Sequence, residues 1–166
     1  MNKIIAVIIF STLCSATLRS QNQTSSPKNF FAEIQLGAIY TDPIISSNDS
    51  GTLTEASVTL GYNISQRFSA GIGLSTIHFL TATPYIYGKI KFGDISKKNT
   101  IPFLSLSAGY TESFEKTDTR VDMITIQPKL GLSFYGKKKK SSLLLYAGAL
   151  IYQNKVLPSI GIGLGF

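Results

Sequence analysis

Few side chains in this chain could do covalent chemistry. Among 166 residues there is one histidine, His78, and one cysteine, Cys14. An esterase-type site needs a serine within reach of an imidazole that an acid in turn orients. Ser75 stands three positions before His78, and in an extended strand that spacing sends the two side chains to opposite faces. No His-x-Ser arrangement occurs, and no carboxylate on the same stretch supports the imidazole. His78 therefore reads as a polar residue at a membrane–water rim, and neither catalysis nor a cofactor is expected. One histidine with no cysteine left after export also leaves no metal site. Gly71-x-Gly73 and Gly161-x-Gly163 are strand glycines and not phosphate loops, because no helix follows them.

The remaining candidates are charges in an otherwise apolar or small-polar pattern. Glu33, Lys89, Lys91 and Lys129 fall on the polar register of their segments. A buried charge must be paired, so Glu33, read as the one carboxylate of an enclosed lumen, should meet one or more of these lysines. The alternative is that they contact only lumen water.

These residues are positioned by segments of strict alternation, most clearly the last. Ser159 to Phe166 sets Ile160, Ile162, Leu164 and Phe166 on one face and Gly161, Gly163 and Gly165 on the other. A period of two is a β-strand. Glycine is a poor strand former, and three on one face suit the inside of a small closed barrel where larger side chains would collide. Seven further segments precede it, from about Phe30 to Thr41 onward. They give an all-β, eight-stranded antiparallel up-and-down transmembrane barrel over residues 29–166. Long loops are expected at Asp42–Thr54 and Glu112–Val121, with tight turns at Ser65–Arg67, Gly93–Asn99 and Gly136–Ser141. Leu80–Thr83 and Gln153–Pro158 read as connections. Leu143–Tyr152 is apolar on both faces, which leaves its register open.

Three features choose lipid over water outside the barrel. Phe30, Tyr40, Tyr62, Phe68, Phe92, Tyr110 and Phe134 fall in the apolar register near segment ends. Phe30 to Tyr40 spans roughly 33 Å of strand, about 24 Å after a 45° tilt, matching the apolar band between aromatic girdles. The opposite face, rich in Gly, Ser, Thr, Gln and Lys, would fail as a core in water. The charges also sort: Asp42, Asp49, Glu55, Glu112, Glu115, Asp118 and Asp122 lie on the long loops, whereas Arg67, Lys97, Lys98 and Lys137–Lys140 lie on the short turns.

The start of the chain reads as an export signal. Met1-Asn2-Lys3 is a short basic start, and Ile4–Leu13 is apolar but too short to span a bilayer. Cleavage is expected after Ser20, with Ala16 the alternative, followed by a periplasmic lead-in over 21–28. Ser11 and Leu13 fit badly around a lipidated Cys14. Without Lys3 and Arg19 the basic count falls from 16 to 14 against 9 acids, a net charge near +5. The four-lysine run at 137–140 reads as a solvated turn, not a nucleic-acid patch.

Taken with the hairpin Gly61-Tyr-Asn-Ile-Ser-Gln-Arg-Phe68, the Pro102-Phe103 opening of a strand that ends Gly109-Tyr110, and the terminal Phe166, the chain resembles the small porin-like β-barrel proteins of Gram-negative outer membranes. The resemblance implies a monomer in the outer membrane. Its members act as structural envelope proteins, narrow pores, adhesion or resistance factors. It further implies that Ile160, Ile162, Leu164 and Phe166 form the signal for the barrel-assembly machinery, and that lipid and lipopolysaccharide are the surroundings. A structural or interaction role with a closed lumen is expected. A small-solute channel is the alternative, and a lipid A-modifying enzyme, known among eight-stranded barrels, fits the residues least.

Overall fold

The computed structural model describes residues 30–41, 51–95, 97–113, 123–153 and 155–166. The expected export segment 1–20, the expected lead-in 21–28 and most of both expected long loops lie outside these residues.

Eight strands follow in order: β1 Phe30–Thr41, β2 Gly51–Asn63, β3 Phe68–Ile77, β4 Thr81–Lys91, β5 Thr100–Ser113, β6 Met123–Tyr135, β7 Ser142–Tyr152 and β8 Lys155–Gly165. Each pairs antiparallel with its sequence neighbours, and β8 pairs with β1 to close the barrel. Closure leaves no strand edge. Phe166 extends the seam beyond β8, exchanging two backbone hydrogen bonds with Ala32 at 2.9 and 3.2 Å.

The alternation seen in the sequence becomes an inversion of a soluble fold. Ile72, Ile86, Ile124 and Leu130 are 61–70% exposed on the outer surface. Glu33, Lys89, Lys129, Thr59 and Ser105 are buried inside. In water, such an outer surface far exceeds the apolar patch a monomer tolerates. In lipid it is the required outer band.

Four boundaries differ from expectation. β2 begins at Gly51 and not after Thr54, and β4 at Thr81 and not after Thr83. β5 runs to Ser113, past Glu112, and β8 starts at Lys155, so positions 153–154 alone join it to β7. Threonine-rich polar ends read as loop because of their polarity, but threonine is β-branched and suits a strand. Inside a barrel its hydroxyl also has partners. Thr83 bonds Thr111 at 2.8 Å, and Thr111 lies 3.3 Å from Thr125. The open register of β7 resolves with Ser142, Leu144, Tyr146 and Leu150 inward, and Leu143 and Leu145 outward.

Candidate functional site: the lumen

Lumen aromatics and strand glycines are placed as complements. Phe31 faces Gly61 across the β1–β2 pair, Tyr85 lies between Gly73 and Gly109, Phe103 faces Gly131, and Tyr146 lies between Gly131 and Gly161. A Cβ at Gly61, Gly73, Gly131 or Gly161 would run into the facing ring. The glycines are thus the spaces into which rings lie down, and an eight-stranded barrel has no other room for them.

Against these rings sits a charged network. Lys89 Nζ donates to Glu33 Oε1 at 2.6 Å, with both side chains almost fully buried. Glu33 Oε2 accepts from Tyr87 Oη at 2.9 Å and from Gln35 Nε2 at 3.2 Å. Gln35 Oε1 in turn accepts from Lys129 Nζ at 3.0 Å. Lys129 lies 3.7 Å from Glu55 Oε1, whose other oxygen accepts from Gln127 Nε2 at 2.8 Å. The chain Lys89–Glu33–Gln35–Lys129–Glu55–Gln127 therefore crosses the lumen from β4 through β1 to β6 and β2. Each lysine also caps a ring, Lys89 at 4.2 Å from the Phe103 centroid and Lys129 at 4.6 Å from that of Tyr146. In a low-dielectric interior, charges held this way satisfy one another without water.

The structure divides the four expected charges. Lys89 meets Glu33. Lys129 does not; it pairs with Glu55 and reaches Glu33 only through Gln35. Lys91 Nζ donates to the side-chain oxygen Oδ1 of Asn63 at 2.9 Å. The expectation that Glu33 is the lone lumen carboxylate and that Glu55 belongs to a loop is corrected: Glu55 is only 3% exposed, inside β2. Its signal was the parity it shares with Ser57, Thr59 and Gly61, which a loop boundary at Thr54 concealed.

Two apolar clusters pack with the network. Phe103, Leu144 and Tyr146 form one, and its two rings are those that the lysines cap. Ile39, Leu150 and Leu157 form the other, backed by Leu53, Ile77 and Tyr152, toward the long loops. That second layer was not foreseen, because Leu157 read as part of a connection and Leu150 belonged to the strand of open register. Between it and Glu55, Tyr85 and Gln127 remains a void with space for about one water molecule.

Outside, Phe30, Tyr40, Tyr62, Phe68, Phe92 and Tyr110 are exposed and Phe134 is half-exposed. On β8, Ile160, Ile162 and Leu164 face outward, while Phe166 is half-covered at the seam. His78 and Phe79 are the central residues of the turn from Ile77 to Leu80 that joins β3 to β4, both at positive φ (50° and 60°), and both are exposed. Positive φ at both central residues matches the right-handed strand twist but is unusual for a phenylalanine. Ser75 is buried in the lumen, away from that exposed imidazole. Among the described residues no group of three or more His, Cys, Asp or Glu could hold a metal ion.

No family model matches the chain, and no curated protein matches it. Solved structures do. The N-terminal β-barrel domain of Pseudomonas aeruginosa OprF aligns with a TM-score of 0.62 at 16% identity, covering 84% of this chain and 97% of that one. Neisserial surface protein A (NspA) aligns with a TM-score of 0.58 at 12% identity, over 85% and 98% of the two chains. A de novo designed transmembrane β-barrel aligns equally well, with a TM-score of 0.58. At such identities the likeness is one of architecture. With eight antiparallel strands closed on themselves, an oily exterior and two buried ion pairs inside, this chain has the fold of the small eight-stranded outer-membrane β-barrels.

Proposed function

We propose that the protein is an exported, monomeric, integral outer-membrane barrel with a closed lumen and a structural or interaction role in the envelope. The observation that carries this reading is the blocked lumen, where a continuous charged network packs against the rings of one apolar cluster and a second apolar cluster lies toward the long loops. A solute would have to break buried ion pairs and displace close-packed side chains at successive levels. A channel is the second reading, favoured only by the small void beside Glu55. Catalysis has least support, since the one imidazole and the nearby serine sit on different surfaces.

In this reading residues 1–20 direct export, and Phe166 with Ile160, Ile162 and Leu164 is what the assembly machinery engages. The loop acids face lipopolysaccharide and bind it through shared divalent cations. Planar-bilayer recording of purified protein tests the closed lumen. The expected result is no steady current above the bare bilayer, and a steady open-channel current would overturn it. Lipopolysaccharide affinity that is unchanged by chelation would remove the cation bridge.

A further inference from the structure

The short-turn end of the barrel carries a concentration of positive charge that the lumen does not use. Arg67, Lys97, Lys98, Lys137, Lys138 and Lys140 are all exposed there, and Asp94 is the only acid on the same turns. The turns are also fastened together. Lys139 Nζ donates to the Lys98 carbonyl at 2.7 Å, and the Tyr135 amide to the Asn99 carbonyl at 2.7 Å. The Lys91 amide reaches the Arg67 carbonyl at 2.8 Å. Like charges on three separate flexible turns could move apart; here the backbone holds them along one side of the rim, from β2 to β7. Such an arrangement is unfavourable unless an anionic surface or counterions lie against it.

The depth of the patch says what that surface is. Phe68 and Phe92, both at least half exposed, stand at the strand ends from which these turns leave. Exposed aromatics of this kind mark the level of the lipid headgroups. Lysines a few residues beyond them, on short turns, are within reach of the phosphates, where long cationic side chains are favoured. Resting on the membrane reading above, we propose that this rim binds anionic phospholipid headgroups of the leaflet it faces, gathering them around the β4–β7 sector. The partner is a phosphodiester bearing net negative charge, drawn by several lysines at once and not by one built pocket.

The test reconstitutes the full chain in phosphatidylcholine bilayers containing trace spin-labelled phosphatidylglycerol or spin-labelled phosphatidylcholine. The fraction of each label immobilised at the protein surface is then compared. At low salt phosphatidylglycerol should be favoured by about threefold or more, and the preference should collapse near 0.5 M salt. Replacing Lys97, Lys98, Lys137, Lys138 and Lys140 by Gln should abolish it, whereas Lys155→Gln at the opposite end should leave it intact. Mobility with and without boiling reports whether each protein is a folded barrel. A wild type that never resists detergent fails the membrane reading itself. A folded wild type with no preference, or with one that salt does not weaken, overturns the lipid proposal alone. The salt series keeps the proposal open to refutation should the five-lysine variant fail to fold. Loss of lipid preference with strong pelleting on cell-wall sacculi would overturn it in favour of an acidic wall polymer.

Discussion

Lys89 and Glu33 meet across the lumen at 2.6 Å although 56 residues separate them in the chain. Both side chains are almost fully buried, so each is the other's main compensation for burial. Removing one partner strands a charge. Glu33→Gln should lower the unfolding free energy in lipid vesicles by about 3–5 kcal/mol. A double replacement, Glu33→Leu with Lys89→Met, should recover much of that loss. Urea titration of the three variants checks it, and a double variant as unstable as the single one would refute the pairing argument.

The glycine–ring complement makes a sharper prediction. Gly161→Val places methyl groups where the Tyr146 ring lies, and overpacking of that kind costs about 1–3 kcal/mol. Adding Tyr146→Ala to the same chain should return part of the loss, because the clash with the ring is then gone and only the approach to the Leu36 carbonyl remains. Independent, additive losses in the double variant would show that the ring and the glycine are not complementary.

Orientation of the strands can be read with one arginine scanned along β8. At Ile160, halfway along the strand and facing outward, an arginine should cost about 2–4 kcal/mol in a bilayer. At Val156, next to the strand end, it should cost only about 0–1 kcal/mol. Equal tolerance at both sites would mean that this face does not meet lipid.

The apolar layer toward the loops should contribute stability without being the sole barrier. Ile39→Ala and Leu157→Ala should each cost about 2–5 kcal/mol. The double variant should still pass no steady current, because the network from Lys89 to Gln127 remains across the lumen. Current appearing in that variant would place the barrier in the apolar layer alone.

Much of this was written into the order of residues. Parity along a strand is local: once Ile160, Ile162 and Leu164 are outward, Gly161 and Gly163 must be inward. The alternation therefore marked out eight strands, the aromatics at their ends and the sparse opposite face turned the oily side outward, and the polar face of β4 announced Lys89 and Lys91 as lumen charges. What alternation lacks is height around a tilted, closed sheet. Which lysine finds which carboxylate depends on the stagger between strands far apart in the chain. Lys129 and Glu55, 74 positions apart, were joined only when β2 and β6 were fixed on one cylinder. Strand ends were equally beyond a local reading, since Gly51–Thr54 and Thr81–Thr83 look like loop until neighbouring strands supply their hydrogen-bond partners. The β7 register was open for the same reason. A strand greasy on both faces has no preferred side until its neighbours put Tyr146 over Gly161, and ring and glycine then settle it by volume.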